Sequence, residues 1–186
     1  MMGKFRAAAP GDIFVLLMPD DNTGATPAWQ CALQEQYGGR ITAPLHVTLQ
    51  RFTCSDLKKV EMLQERLQPA IATFLPISVM GSDMTPLYSN FRHNHILKCR
   101  LQRNDSLQAL TEEVANQLRA LALTAHYPSS WSGELVTVLE GIEPPPTDFV
   151  IPLSAPTQFF VGTQLLISRV VGPDHYEQLY QLKQTD

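Results

Sequence analysis

Positive charge is scarce in this chain of 186 residues: 14 lysines and arginines stand against 18 aspartates and glutamates, for a formal net charge of −4 with histidine neutral. Non-specific duplex binding draws most of its affinity from phosphate neutralisation across a broad basic face, so a sequence-independent nucleic-acid coat protein is excluded. Cysteine is scarcer still. Cys31, Cys54 and Cys99 are odd in number, widely spaced and outside any CxxC or Cys/His ligand pattern, which predicts free thiols in a reducing cytoplasm and no metal site. Long apolar runs are missing as well, because the longest, residues 13–18, falls far below the roughly 20 residues that cross a bilayer. Pro10, Gly11 and Asp12 separate that run from Lys4 and Arg6, a poor fit to a signal peptide. There is no Walker-type glycine loop, no HExxH, no GxSxG elbow and no EF-hand loop. That leaves no sequence basis for a nucleoside triphosphatase, a zinc peptidase or a serine hydrolase.

Apolar side chains make up 44% of the chain, and the high charge of a disordered sequence is lacking. The expectation is a packed core in one domain over residues 1–186. Residues 12–18 read as a strand, followed by a helix that Thr26 caps, Pro27 opens and Gly38–Gly39 stop. A strand over 45–52 comes next. Ser55 is positioned to cap a helix in which Leu57, Val60, Leu63 and Leu67 recur at helical spacing, weakening at Pro69. Residues 76–80 and 95–101 read as strands, with Pro86 and the aromatic stretch 88–94 in the loop between them. Leu107, Leu110, Val114, Leu118 and Leu121 mark a helix over 105–123, with Asp105 and Gln108 as a capping box. Residues 134–139 return as a strand, 143–146 form a stiff proline-rich connection, 159–170 form a long strand with Gly162 as a bulge, and 174–182 form a short helix. Residues 13–52 and 95–139 share a strand–helix–strand plan, so the expected class is α+β, with two pseudo-symmetric lobes and antiparallel sheets around a central cleft.

Chemistry points first to His46–Val47–Thr48. Residues two apart on a strand project from one face, so an imidazole and a hydroxyl stand together while Leu45, Val47 and Leu49 anchor the other side. The imidazole exchanges protons near neutral pH, and the hydroxyl donates to a phosphate oxygen.

The strand ending in Met18–Pro19, the helix after it, the segment Leu45-His-Val-Thr-Leu-Gln-Arg-Phe52, and Leu166-Ile-Ser-Arg-Val-Val-Gly-Pro-Asp-His-Tyr176 together resemble the 2H phosphoesterase superfamily, the 2′-5′ RNA ligase-like proteins, over roughly the whole chain. The resemblance implies two lobes, each with a His-x-Thr/Ser motif facing a shared cleft, and metal-independent chemistry on RNA-type phosphoesters, commonly 2′,3′-cyclic phosphates. His46 and Thr48 fill the first motif, with Arg51 close behind. The second motif is altered: Thr137 keeps the hydroxyl position, but Leu135 stands where the second histidine belongs and Glu140 falls in the register of Arg51. Leucine transfers no proton, and losing one general acid or base typically costs about 10²- to 10⁴-fold. A carboxylate turned into the cleft repels phosphate.

The functional expectation is therefore a phosphodiesterase, possessing no cofactor, that acts on a small phosphodiester, nucleotide or RNA terminus through His46, Thr48 and Thr137. The alternative is a non-catalytic module that binds such ligands in the same cleft. Arg51, His95 and Tyr88 are candidate substrate-binding residues, His95 being also the candidate replacement for the second imidazole. Thr137 reads equally as a β-branched core residue. Arg51, Arg92, Lys98 and Arg100 read as cleft cations or as solvated charges. Tyr88, Phe91 and Trp131 read as base-stacking residues or as core aromatics. His93, His126 and His175 read as loop or surface residues.

Overall fold

Side chains along β1 (Asp12–Met18) alternate as a period of two demands: Ile13, Val15 and Leu17 are fully buried, whereas Phe14, Leu16 and Met18 line a cavity on the opposite face. In the computed structural model, which describes residues 8–20, 27–90, 92–127, 135–144, 151–172 and 175–184, β1 lies between β3 (Val47–Thr53) and β8 (Gln164–Gly172), with β9 (His175–Lys183) outside β8. A second sheet runs in the order β2 (Arg40–Ile41), β6 (Leu135–Ile142), β5 (Asn94–Leu101), β4 (Ile77–Ser89), β7 (Ile151–Gly162). Every strand pairing between the described strands of both sheets is antiparallel, and the fold is α+β with two antiparallel sheets, as the sequence implies.

Among the described residues three helices cover the sheets: α1 (Ala28–Tyr37), α2 (Leu57–Phe74) and α3 (Asp105–Ala120). α1 leaves the first sheet after β1 yet packs on β2 and β6 of the second, while α3 joins β5 to β6 of the second sheet yet packs on β3 of the first. Trp29 of α1 stacks on Phe159 of β7 at 4.8 Å. Buried Gln30 donates to the carbonyl oxygens of Thr42 and Val138, each at 2.9 Å. α2 and α3 pack against each other and bury Val60, Leu63, Leu67, Ile71, Leu107, Leu110, Val114 and Leu118. Each such side chain contributes about 1.5–3 kcal/mol on burial.

Several expectations change. Asp56, not Ser55, caps α2 by accepting from the Lys58 amide, and the helix runs through Pro69 to Phe74. Asn104, not Asp105, caps α3 by accepting from the Leu107 amide at 3.0 Å, so no capping box forms, and the helix stops at Ala120. Pro27 sits one position before the helix rather than inside it, and Thr26 lies outside the described residues. Pro86 lies within β4, opposite Leu97. Residues 159–170 are two strands divided at Thr163. Gly162 ends β7, where an added Cβ would stand 2.5 Å from Leu17. The terminal helix is the strand β9, paired to β8 along its length. Part of the connection 143–146 lies outside the described residues. No described helix is long and apolar enough to cross a membrane.

Candidate functional site

The inner faces of the two sheets enclose a cavity of about 510 Å³. From the first sheet and the segment before β3 come His46, Thr48, Ser168 and the apolar wall of Phe14 and Leu16. From the second come Arg40 and Glu140, joined by Arg92 of the β4–β5 connection.

Leu45, Val47 and Leu49 are buried on the other face of the His46 segment, which fixes the direction of the imidazole. Its Nδ1 lies 3.0 Å from the carbonyl oxygen of Pro44. A carbonyl only accepts, so Nδ1 carries the proton and the neutral ring offers Nε2 as a lone pair. Burial pushes the His46 pKa below its usual 6.5. The Pro44 bond and the Glu140 charge oppose that shift, and Arg92 and Lys98 add to it. The neutral form is the one able to take a proton.

Glu140 faces the cavity because β6 is bulged twice. Lys98 pairs with Thr137 and Ile96 with Glu140, so one extra residue falls between Thr137 and Glu140; a second, Gly141, falls before the pairing of His95 with Ile142. Gly141 has φ 66°, the left-handed conformation in which glycine is at home and which suits a bulge of this kind. Thr137 and Glu140 thereby share a face.

The expected repulsion of phosphate by Glu140 does not arise, because its carboxylate is neutralised. Oε2 accepts from Arg92 at 2.6 Å and from Arg40 at 2.8 Å. Two guanidiniums against one carboxylate leave the wall cationic. Gly39 makes the approach of Arg40 feasible: its φ is 81°, and an added Cβ would stand 2.5 Å from the Glu140 carbonyl oxygen. Burial, then the neighbouring Arg92, hold the Lys98 pKa below the usual lysine value.

The other sequence candidates stand outside the cavity lining, Thr137 on the same sheet face as Glu140. Thr137 is half-buried opposite Lys98, and Leu135 is opposite Arg100. Arg51 is 3% exposed and pairs with cavity-lining Phe14, but it is not itself among the residues that line the cavity. Its Nε donates to His126 Nδ1 at 3.2 Å, and its guanidinium lies 5.4 Å from the centre of the Tyr127 ring. The other His126 nitrogen lies 3.3 Å from the Thr53 hydroxyl, which donates to Asp12. His126, read as an untethered loop residue, thus anchors the segment after α3.

His95 does not reach the cleft. It lies on the opposite face of β5 from Ile96 and Lys98 and meets Tyr88 edge-on at 5.3 Å, where Tyr88 is 53% exposed at the end of β4. Arg100 is exposed and pairs with Asp83. His93 and His175 are exposed, and Phe91 and Trp131 lie outside the described residues. Sequence reasoning did not select Arg40, Ser168 or Tyr176 for the cleft. Tyr176 lines the cavity and packs edge-on against Phe14 at 6.4 Å, a position hidden by reading its segment as a helix. Among the described residues no group of three His, Cys, Asp or Glu side chains is placed to hold a metal ion.

No protein-family model matches the sequence, and no curated protein matches it. Solved structures do. E. coli LigT complexed with NADP+ superposes with a TM-score of 0.56 at 15% identity, covering 96% of this chain and 100% of LigT. TT0787 of Thermus thermophilus gives 0.56 at 15% identity over 92% and 97%. E. coli LigT complexed with 3′-AMP gives 0.55 at 14% identity over 96% and 100%. At this identity the likeness is one of fold.

Proposed function

We propose that the chain is a phosphodiesterase for a small RNA-type phosphodiester, a 2′,3′-cyclic nucleotide or an RNA end, working in the cytoplasm as one bilobal unit over residues 1–186. The observation that carries this reading is the state of His46: Nδ1 is held by the Pro44 carbonyl, so Nε2 is left as the basic atom in a cavity shared with Thr48 and a pair of arginines. Nε2 takes the proton of the attacking water or hydroxyl. Thr48 and Thr137 donate to non-bridging phosphate oxygens, and the excess charge of Arg40 and Arg92 over Glu140 offsets the phosphorane charge as it builds. As the family resemblance implies, no metal takes part. The LigT complex with 3′-AMP supports a nucleotide-sized ligand for a fold of this kind.

Purified protein assayed in excess chelator against 2′,3′-cyclic nucleotides and 2′-5′-linked oligonucleotides tests the proposal. Turnover is expected on at least one class, with a loss of about 10²-fold or more in His46→Ala. Binding without turnover, or turnover unchanged in His46→Ala, overturns it.

A further inference from the structure

A two-proton reaction in this cleft lacks its second imidazole. The family resemblance puts Leu135 in that position, and His95 lies on the face of β5 opposite to that of Lys98. On the sheet face that carries the cavity-lining Glu140, β5 places Ile96 opposite Glu140 and, two residues on, Lys98 opposite Thr137, both just beyond the residues that line the cavity. Lys98 is half-buried, and its ammonium makes no hydrogen bond or ion pair among the described residues. A cation withdrawn from water without a carboxylate partner costs stability. It is also the arrangement that an incoming phosphodiester completes. The Lys98 charge also adds to the lowering of the His46 pKa.

We infer that Lys98 supplies the second proton of the reaction, donating from its ammonium to the leaving oxygen while His46 activates the nucleophile. This rests on the phosphodiesterase reading above. The other charged groups around Lys98 are poor substitutes. From β2 and the β4–β5 connection, Arg40 and Arg92 carry guanidiniums that do not release protons in proteins. From β6, Glu140 is held as a double acceptor, and from β4, Asp83 is engaged by Arg100. The lowered affinity of Lys98 for its proton, set by burial and by Arg92, makes it a stronger acid than an exposed lysine. For a 2′,3′-cyclic phosphate, water gives one proton to His46 Nε2 and its oxygen bonds to phosphorus. The phosphorus–ribose oxygen bond breaks, and that oxygen takes a proton from Lys98. Solvent then carries the proton from His46 back to the lysine amine.

The test compares a 2′,3′-cyclic nucleotide with a nucleoside p-nitrophenyl phosphodiester, whose leaving group departs without a proton. In the unaltered protein, kcat/KM on the cyclic substrate should fall at alkaline pH with the loss of the ammonium proton, and that limb should be absent on the nitrophenyl ester. Lys98→Arg keeps the charge but cannot donate, and Lys98→Gln loses both. Each should lose about 10²- to 10⁴-fold in kcat on the cyclic nucleotide, whereas Lys98→Arg should stay within a few-fold of the parent on the nitrophenyl ester. Parental kcat in Lys98→Arg, equal losses on both substrates, or an identical alkaline limb on both in the unaltered protein overturns the inference. In that event a His46→Ala variant without activity leaves the phosphodiesterase reading standing; absence of all turnover removes that reading itself.

Discussion

The guanidinium of Arg92 lies 2.6 Å from Oε2 of Glu140, the oxygen that Arg40 also reaches. Glu140 is thus a clamp on two cations rather than an obstacle to an anion. Arg92 is largely covered while Arg40 is 69% exposed, so the Arg92 bond carries most of the energy. Glu140→Gln should cost about 1–2 kcal/mol of unfolding free energy in denaturant titrations. Glu140 also favours the imidazolium of His46, so the variant should titrate His46 at lower pH than the parent. NMR of the ring protons reads this directly, and an unmoved midpoint would contradict the coupling.

Burial holds the folded His46 pKa below its unfolded value of 6.5, so between those two values the unfolded chain binds more protons. Stability then falls as pH drops through 6.5 toward the folded value. Urea titrations at pH 7.5 and pH 5 should show a smaller difference in His46→Asn than in the parent. An equal difference in the two proteins means that the ring is not held neutral by the fold.

Gly39→Ala places a side chain at φ 81° and within 2.5 Å of the Glu140 carbonyl oxygen. The strain should cost about 1–3 kcal/mol, and the retreat of β2 should loosen Arg40 from Glu140. In steady-state kinetics KM should rise more than kcat falls. An unchanged KM together with lost stability would mean that Arg40 contributes nothing to binding.

Arg51→Met removes a buried hydrogen bond to His126 and the contact with the Tyr127 ring. A loss of about 1–3 kcal/mol in stability is expected, with kcat/KM within about threefold of the parent at a temperature where both proteins are fully folded. A large loss of kcat/KM in a folded variant would return Arg51 to the substrate.

Asn104→Ala deletes the cap of α3, where the side chain accepts from the Leu107 amide and donates to the Ser78 carbonyl. Thermal unfolding should register about 1 kcal/mol of destabilisation, without a change in kinetics. The same loss from Asp105→Ala would restore the capping box.

The first half of the site was legible because a strand writes itself into sequence at period two: buried Leu45, Val47 and Leu49 force His46 and Thr48 to one side. The cationic wall was legible only in part: Arg92 and Lys98 were candidate cleft cations, but Arg40 was not, because it meets Glu140 only through the pairing of β2 with β6. Glu140 was readable as a residue but not as a contact. Counting by twos from Thr137 turns it away from the cleft, and only the extra residue in β6 brings it back.

β9 misled for a related reason. Tyr176, Leu179 and Tyr180 are spaced as on one face of a helix, but the segment lies on a sheet edge where only Leu182 is buried. Backbone pairing with β8 decides its conformation. Arg51 sits where a motif register places it, yet the loop after α3 had already claimed its guanidinium.

The exchange of α1 and α3 between the sheets bears on how the protein is made. β1 emerges from the ribosome with Ile13, Val15 and Leu17 exposed, and its central place stays open until β8, at residues 164–172, has been synthesised. α1 meanwhile waits for β6. Neither sheet is covered until strands from the later half of these residues exist, so vectorial synthesis yields no finished lobe along the way, and the nascent β1 needs shelter until β8 has been made.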